Sequence, residues 1–152
     1  MINSKLTSDL DPEVETLCLK HIALCRQRGI ELIVTSTYRD FEAQNALYGI
    51  GRIFNIGHAT VTNARGGESW HNYKCAYDIV PLVMGKCDWV SRDNNQLTPR
   101  WQLIVDIAKS IGLEAAADWV TFREDCHFQY RPPIELLEAK ERFTKSGSIF
   151  LV

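Results

Sequence analysis

Two short segments dense in metal-ligating side chains constrain the fold of this chain more than any other feature. They read Ser69-Trp70-His71-Asn72-Tyr73-Lys74-Cys75-Ala76-Tyr77-Asp78 and Glu124-Asp125-Cys126-His127. His71 and Asp78 stand too far apart to share a helical turn, but a loop running into a strand brings both to one point. With His127 they offer two imidazoles and a carboxylate to one divalent ion, and three protein ligands leave a tetrahedral corner open for a water. Zinc takes imidazole nitrogen readily and tolerates carboxylate oxygen, and a water held there titrates near neutrality. Glu124, three positions ahead of His127, is the spare carboxylate that accepts the water's proton and returns it to a departing amine. Asp125 is its rival, and only position relative to His127 favours Glu124. Arg39, with its rigid fork of donors, suits a substrate carboxylate or a developing oxyanion. Taken singly, each residue has a plainer reading: a buried histidine on a backbone carbonyl, an acid at a strand end, an arginine at a helix start. Their conjunction points to a small zinc hydrolase.

The chain has 152 residues, enough for one self-sufficient core and too few for two comfortable ones, so residues 1–152 are expected to form a single catalytic domain. A formal net charge of -2 provides no field to attract nucleic acid or anionic membranes, and no basic stripe with interleaved aromatics occurs. No apolar run approaches a signal-peptide core or a membrane span, which predicts synthesis in the cytoplasm and no membrane insertion. Five cysteines (Cys18, Cys25, Cys75, Cys87 and Cys126), an odd number without a C-x-x-C pair, agree with a reducing compartment. Cys18 and Cys25 fall on the apolar face of a helix as core thiols. Cys75 and Cys126 each sit beside a proposed ligand, but the cysteine spacings fit no common structural zinc pattern.

Asp11-Pro12-Glu13 predicts a helix start: an N-cap acid, proline at the first helical position and an acid in the first turn. Val14, Leu17, Cys18, His21, Ile22, Leu24 and Cys25 then mark one face until Gly29, with His21 as a core or boundary histidine. Residues 30–37 are β-branched and apolar, a buried strand that delivers Arg39 at its end. Asp40 caps a second helix over 41–48. Residues 52–68 read as a long loop across the mouth of the site, with His58 solvated in it. A strand follows over 76–83, carrying Asp78, and residues 86–90 pair with it. Thr98-Pro99 opens a third helix ending at Gly112, residues 120–130 bring a strand back with His127 and Gln129 on it, and Pro132-Pro133 starts a last short helix. The sum is an α+β fold: a small, mainly antiparallel sheet with helices packed on one side.

These residues resemble the D-alanyl-D-alanine carboxypeptidase (VanY-like) metallopeptidases, whose zinc site is shared with lysostaphin-type peptidases and hedgehog domains. The family pattern S-x-H-x-x-G-x-A-x-D matches at Ser69, His71, Ala76 and Asp78. The closing element matches as Glu124-Asp125-Cys126-His127-Phe128-Gln129. An upstream element matches at Thr35, Tyr38, Arg39, Gln44, Leu47, Tyr48, Gly51 and Arg52, so the resemblance covers roughly residues 30 to 130. Asn72-Tyr73 after the first histidine and Asp118-Trp119 before the final element are most similar to the L-alanyl-D-glutamate endopeptidase branch, which includes many phage endolysins. The resemblance implies one zinc ion on His71, Asp78 and His127, Glu124 as catalytic base, and substrate contacts from Arg39, Ser69, Gln44 and Trp119, with Gln44 buttressing Arg39. Two positions depart from the pattern. Lys74 replaces a glycine that eases a turn, and Ala115-Ala116-Ala117 stands where Trp-Gly-Gly is usual.

The resemblance therefore implies a bacteriolytic endopeptidase, a monomer, cutting the L-Ala–D-Glu bond of peptidoglycan stem peptides. Such an enzyme would reach the wall in the periplasm only through a holin-like pore or another export route. A D-Ala-D-Ala carboxypeptidase or dipeptidase with the same zinc site and a non-catalytic wall-binding module stay open as alternatives.

Overall fold

Backbone caps and β-branched runs set the first half of the chain. The structure, a computed structural model, describes residues 1–150. Helix α1 (Pro12–Gln27) starts where Asp11 accepts from the Glu13 backbone N–H, and Gly29 closes it at φ +76°. Strand β1 (Glu31–Ser36) leads into helix α2 (Phe41–Gly49), capped by Asp40, which accepts from the Ala43 N–H. Residues 52–68 contain turns and isolated bridges only, as the loop reading expects. A 3₁₀ turn (Trp70–Tyr73) then feeds strand β2 (Ala76–Val83). Strands β3 (Lys86–Cys87), β4 (Arg92–Asp93) and β5 (Gln96–Leu97) precede helix α3 (Pro99–Ser110). Strands β6 (Glu114–Ala115) and β7 (His127–Gln129) and helix α4 (Leu136–Ser146) complete the order.

The main sheet is antiparallel, ordered β1-β2-β7-β6 with β3 on the free end of β2; β4 and β5 form a separate hairpin. Its register decides everything that follows. Tyr77 pairs with Phe128 and Asp78 with His127. Because side chains alternate across a strand, Tyr77 and Phe128 point to one face and Asp78 and His127 to the other. The first face is covered by α1 and α3: His21 of α1 sets its ring edge-on to Phe128 at 4.9 Å and reaches the Ile104 carbonyl of α3. Val14, Cys18, Tyr77, Ile79, Ile104, Val105 and Phe128 are fully buried there. Burying such side chains is worth about 1.5–3 kcal/mol each, which makes this face the stability of the domain.

Several sequence expectations need correcting. The strand expected over 120–130 shrinks to β7, because residues 120–126 turn, Phe122 adopts φ +48° and the His127 N–H bonds back to the Glu124 carbonyl. Of residues 86–90 only Lys86 and Cys87 pair with β2. Thr98 makes no side-chain cap, so proline alone opens α3, which stops at Ser110. The last helix begins at Leu136 with Glu135 as its N-cap, not at the prolines. Among the described residues no helix is long and apolar enough to cross a membrane.

Candidate active site

On the face of the sheet away from α1 and α3, three ligand atoms meet at one point. His71 Nε2 lies 3.3 Å from Asp78 Oδ1, His127 Nδ1 lies 3.2 Å from the same oxygen, and the two nitrogens are 3.2 Å apart. His71 arrives on the 3₁₀ turn, whose N-cap Ser69 accepts from the His71 N–H. Lys74 ends that turn at φ +62°, in the left-handed region where the family pattern has glycine, and the chain enters β2 toward Asp78. His127 comes from β7 by the register already described.

Each imidazole has its far nitrogen fixed. His71 Nδ1 lies 2.6 Å from the Thr37 carbonyl, which can only accept, so Nδ1 carries the proton and Nε2 is bare. His127 Nε2 lies 2.9 Å from Gln129 Oε1, so Nε2–H donates and Nδ1 is bare. Two nitrogen lone pairs and a carboxylate oxygen therefore converge with no donor between them, an arrangement that only a cation relieves. Donors about 2.0 Å from a tetrahedral zinc stand about 3.3 Å from one another, which is the size of this triangle. The residues fit the ion. Burial disfavours charge on Asp78, but the facing imidazoles, His71 foremost, outweigh it and hold the carboxyl well below the usual range. Burial lowers the His71 pKa; burial also opposes the charged form of His127, but Asp78 and Glu124 raise it overall. A proton is thus the competitor of a metal ion here.

Around the triangle, Glu124 Oε2 sits 3.9 Å from His127 Nδ1, and burial raises the Glu124 pKa above the ordinary carboxyl value. Its rival Asp125 is engaged elsewhere: Arg92 grips both its oxygens at 2.7–3.1 Å, and Ser91 donates to it at 2.7 Å. Arg92 also donates to the Ala117 and Asn95 carbonyls, which ties the loop before β7 to the β4–β5 hairpin. Arg39 is 8% exposed; it donates to Gln44 Oε1 at 2.8 Å and Ser36 Oγ at 3.0 Å, and its Nη2 lies 3.6 Å from Asp78 Oδ2. Its buried Nε has no hydrogen-bond partner among the described residues. Gln44 is fully buried beneath Arg39 and does not line the cleft; its amide also donates to the Ala64 carbonyl, pinning the long loop.

An open cleft of about 1020 Å³ lies over the triangle, with walls that include Ser69, Thr62, Trp89, Trp119 and Val120. Arg39, Glu124 and Cys126 also line it. Cys75 is buried in the core, and the one cluster of metal-ligating groups among the described residues, His71, Asp78 and His127, includes no cysteine. His58 stays exposed on its loop and away from the cleft. Two contributors escape sequence reasoning. Asn72, fully buried, donates to the Arg39 carbonyl and accepts from the Gly67 N–H, locking turn and loop together. Glu114 accepts from both Gln129 and Trp119. Asn72 enters the sequence reading only within the Asn72-Tyr73 match, with no role attached to it; Glu114 carries no sequence signal.

Known proteins resemble this chain in sequence and fold. Residues 7–133 match the model of the VanY family, described as D-alanyl-D-alanine carboxypeptidase. The peptidoglycan L-alanyl-D-glutamate endopeptidase CwlK of Bacillus subtilis (strain 168) is 37% identical over 128 residues, covering 82% of this chain and 75% of that protein. The vancomycin-resistance D,D-pentapeptidase VanY of a VanB-type resistance cassette, solved with Zn(II), has the same fold at a TM-score of 0.61 and 16% identity, over 97% of this chain and 86% of that one. So does the L-Ala D-Glu endopeptidase ChiX of Serratia marcescens, at a TM-score of 0.56 and 17% identity, over 82% and 83%. With a family match that spans most of its length and a relative at this identity, the chain belongs to the VanY family of D-alanyl-D-alanine carboxypeptidase-like peptidases.

Proposed function

We propose that this chain is a zinc-dependent peptidoglycan endopeptidase that hydrolyses the L-Ala–D-Glu bond of stem peptides and acts on the cell wall. The observation that carries the reading is the triangle of three bare electron pairs, with Glu124 and Arg39 beside it on the wall of one cleft. The choice of bond rests on the 37% identity to CwlK.

His71, Asp78 and His127 would hold the zinc, which would supply Lewis acidity toward a water nucleophile and the scissile carbonyl. Glu124 takes the proton of the attacking water. Its raised pKa makes it a better base than an ordinary carboxylate, and the same carboxyl then delivers that proton to the leaving D-Glu nitrogen. Arg39 cannot drift, since Gln44, Ser36 and the Asn72 grip on its carbonyl fix it, so its guanidinium is a preorganised donor for developing negative charge on the substrate. Ser69 and Trp119 contribute to the cleft wall, where the stem peptide would lie.

Mass spectrometry of purified muropeptides digested by the wild type and Glu124→Gln side by side tests this. The expected products are a glycan-linked L-Ala and a peptide beginning with D-Glu, absent with the variant. Release of free D-Ala would move the assignment to a carboxypeptidase on the same site. No new fragments at all, with zinc bound, would leave a wall-binding module.

A further inference from the structure

The orientation of His127 is decided two residues away from the ring. Glu114 on β6 stands opposite Gln129 on β7 in the antiparallel register, and both side chains lie on the cleft face with His127. Glu114 Oε2 accepts from Gln129 Nε2 at 3.2 Å, and Glu114 Oε1 accepts from Trp119 Nε1 at 2.7 Å. A carboxylate only accepts, so Gln129 has to present its amide NH₂ to Glu114 and its carbonyl oxygen to His127. That oxygen also only accepts, so His127 has to carry its proton on Nε2. Nδ1 is then left bare toward His71 and Asp78. Reversing the amide would put an N–H against Nε2, drive the proton to Nδ1 and block the triangle. The contrast with His71 is instructive: a backbone carbonyl, which no substitution removes, sets its tautomer.

We propose that Glu114 is a positioning residue for the metal-binding triangle: acting through Gln129, its carboxylate selects the His127 tautomer that offers Nδ1 to the metal, and Trp119 holds the carboxylate in place. This rests on the zinc reading above, but the tautomer itself is a property of the metal-free protein and can be measured without zinc. Partners of this kind, one step out from the ligands, typically change metal affinity by about 10–100-fold when removed.

The experiment uses Glu114→Gln, an isosteric change, with two readouts on the full chain: imidazole ¹⁵N–¹H correlation spectra of the metal-free protein at alkaline pH, where the rings are neutral, and zinc affinity by competition with a chromogenic chelator. Wild type should show His127 protonated at Nε2. Glu114→Gln should show a mixture of tautomers and bind zinc about 10-fold or more weakly. The double variant Glu114→Gln/Gln129→Glu moves the carboxylate next to the ring: the amide at 114 donates to it and it accepts from His127 Nε2–H. It should restore the single tautomer and most of the affinity, which a merely structural role for Glu114 does not predict. A wild-type tautomer and affinity in Glu114→Gln, or a double variant no better than the single, overturns the proposal. A wild type that binds no zinc but shows the tautomer switch in Glu114→Gln would sink the zinc reading and leave this one standing.

Discussion

On the helix-covered side of the sheet, His21 has both ring nitrogens engaged: Nε2–H donates to the Ile104 carbonyl at 3.0 Å and Nδ1 pairs with the Tyr77 hydroxyl at 2.9 Å. On the cleft side, His71 and His127 each have one nitrogen engaged and one bare, and the bare ones meet. All three are buried, with exposures of 0%, 2% and 4%, so burial does not separate them. What separates them is whether the hydrogen-bonding capacity of the ring is exhausted. A satisfied imidazole is part of the core; one with a lone pair aimed at another lone pair is waiting for a cation.

The largest test of that contrast removes a ring from each side. His71→Ala is expected to reduce zinc in tag-free protein from stoichiometric to trace and muropeptide hydrolysis to background, whereas His21→Gln should keep its zinc. Equal metal content in wild type and His71→Ala, by elemental analysis, would break the comparison. Next in size, Glu124→Gln should lower kcat by about 10²–10⁴-fold with zinc content unchanged; a parallel loss of metal would instead make Glu124 part of the binding shell.

The pH response of the core side sharpens the contrast further. Burial pushes the His21 pKa from 6.5 down to about 4, against the weaker pull of the Ile104 carbonyl. The unfolded chain therefore takes up this proton first on acidification, so the contribution of His21 is present above about pH 6.5 and lost as pH falls toward 4. The stability deficit of His21→Gln at neutral pH should shrink by on the order of 3 kcal/mol by pH 4, read from denaturant curves of both proteins. A deficit independent of pH would mean that the ring titrates normally. Smallest of all, Lys74→Gly should raise stability by no more than about 1 kcal/mol. It relieves a left-handed residue but adds chain entropy to the unfolded state and removes an ammonium 5.5 Å from the Tyr38 ring. A clear loss of stability would show that the ammonium contact outweighs the strain.

Elements with local causes were legible in the chain. Asp11 and Asp40 cap helices because their side chains satisfy free N–H groups a few residues on, and the bounds of β2 follow from its own β-branched run. The triangle was legible too, as residue types at a spacing, before any geometry. What stayed hidden depends on register. Strand β7 exists because β2 and β6 flank it, not because residues 120–130 favour a strand. Glu114 lies on a two-residue strand without periodicity, and its place opposite Gln129 is a tertiary fact. The sequence favours Glu124 over Asp125 only by position relative to His127; that Asp125 is held by Arg92, which belongs to neither motif, is a tertiary fact.

That arginine has a consequence of its own. Arg92 belongs to a small separate hairpin, yet it grips the residue adjoining Glu124, so the placement of the proposed proton carrier is inherited from a hairpin that does not line the cleft. Lengthening, shortening or grafting that hairpin offers a remote dial on turnover: relatives could diverge in speed there while their catalytic signatures stayed letter-for-letter the same.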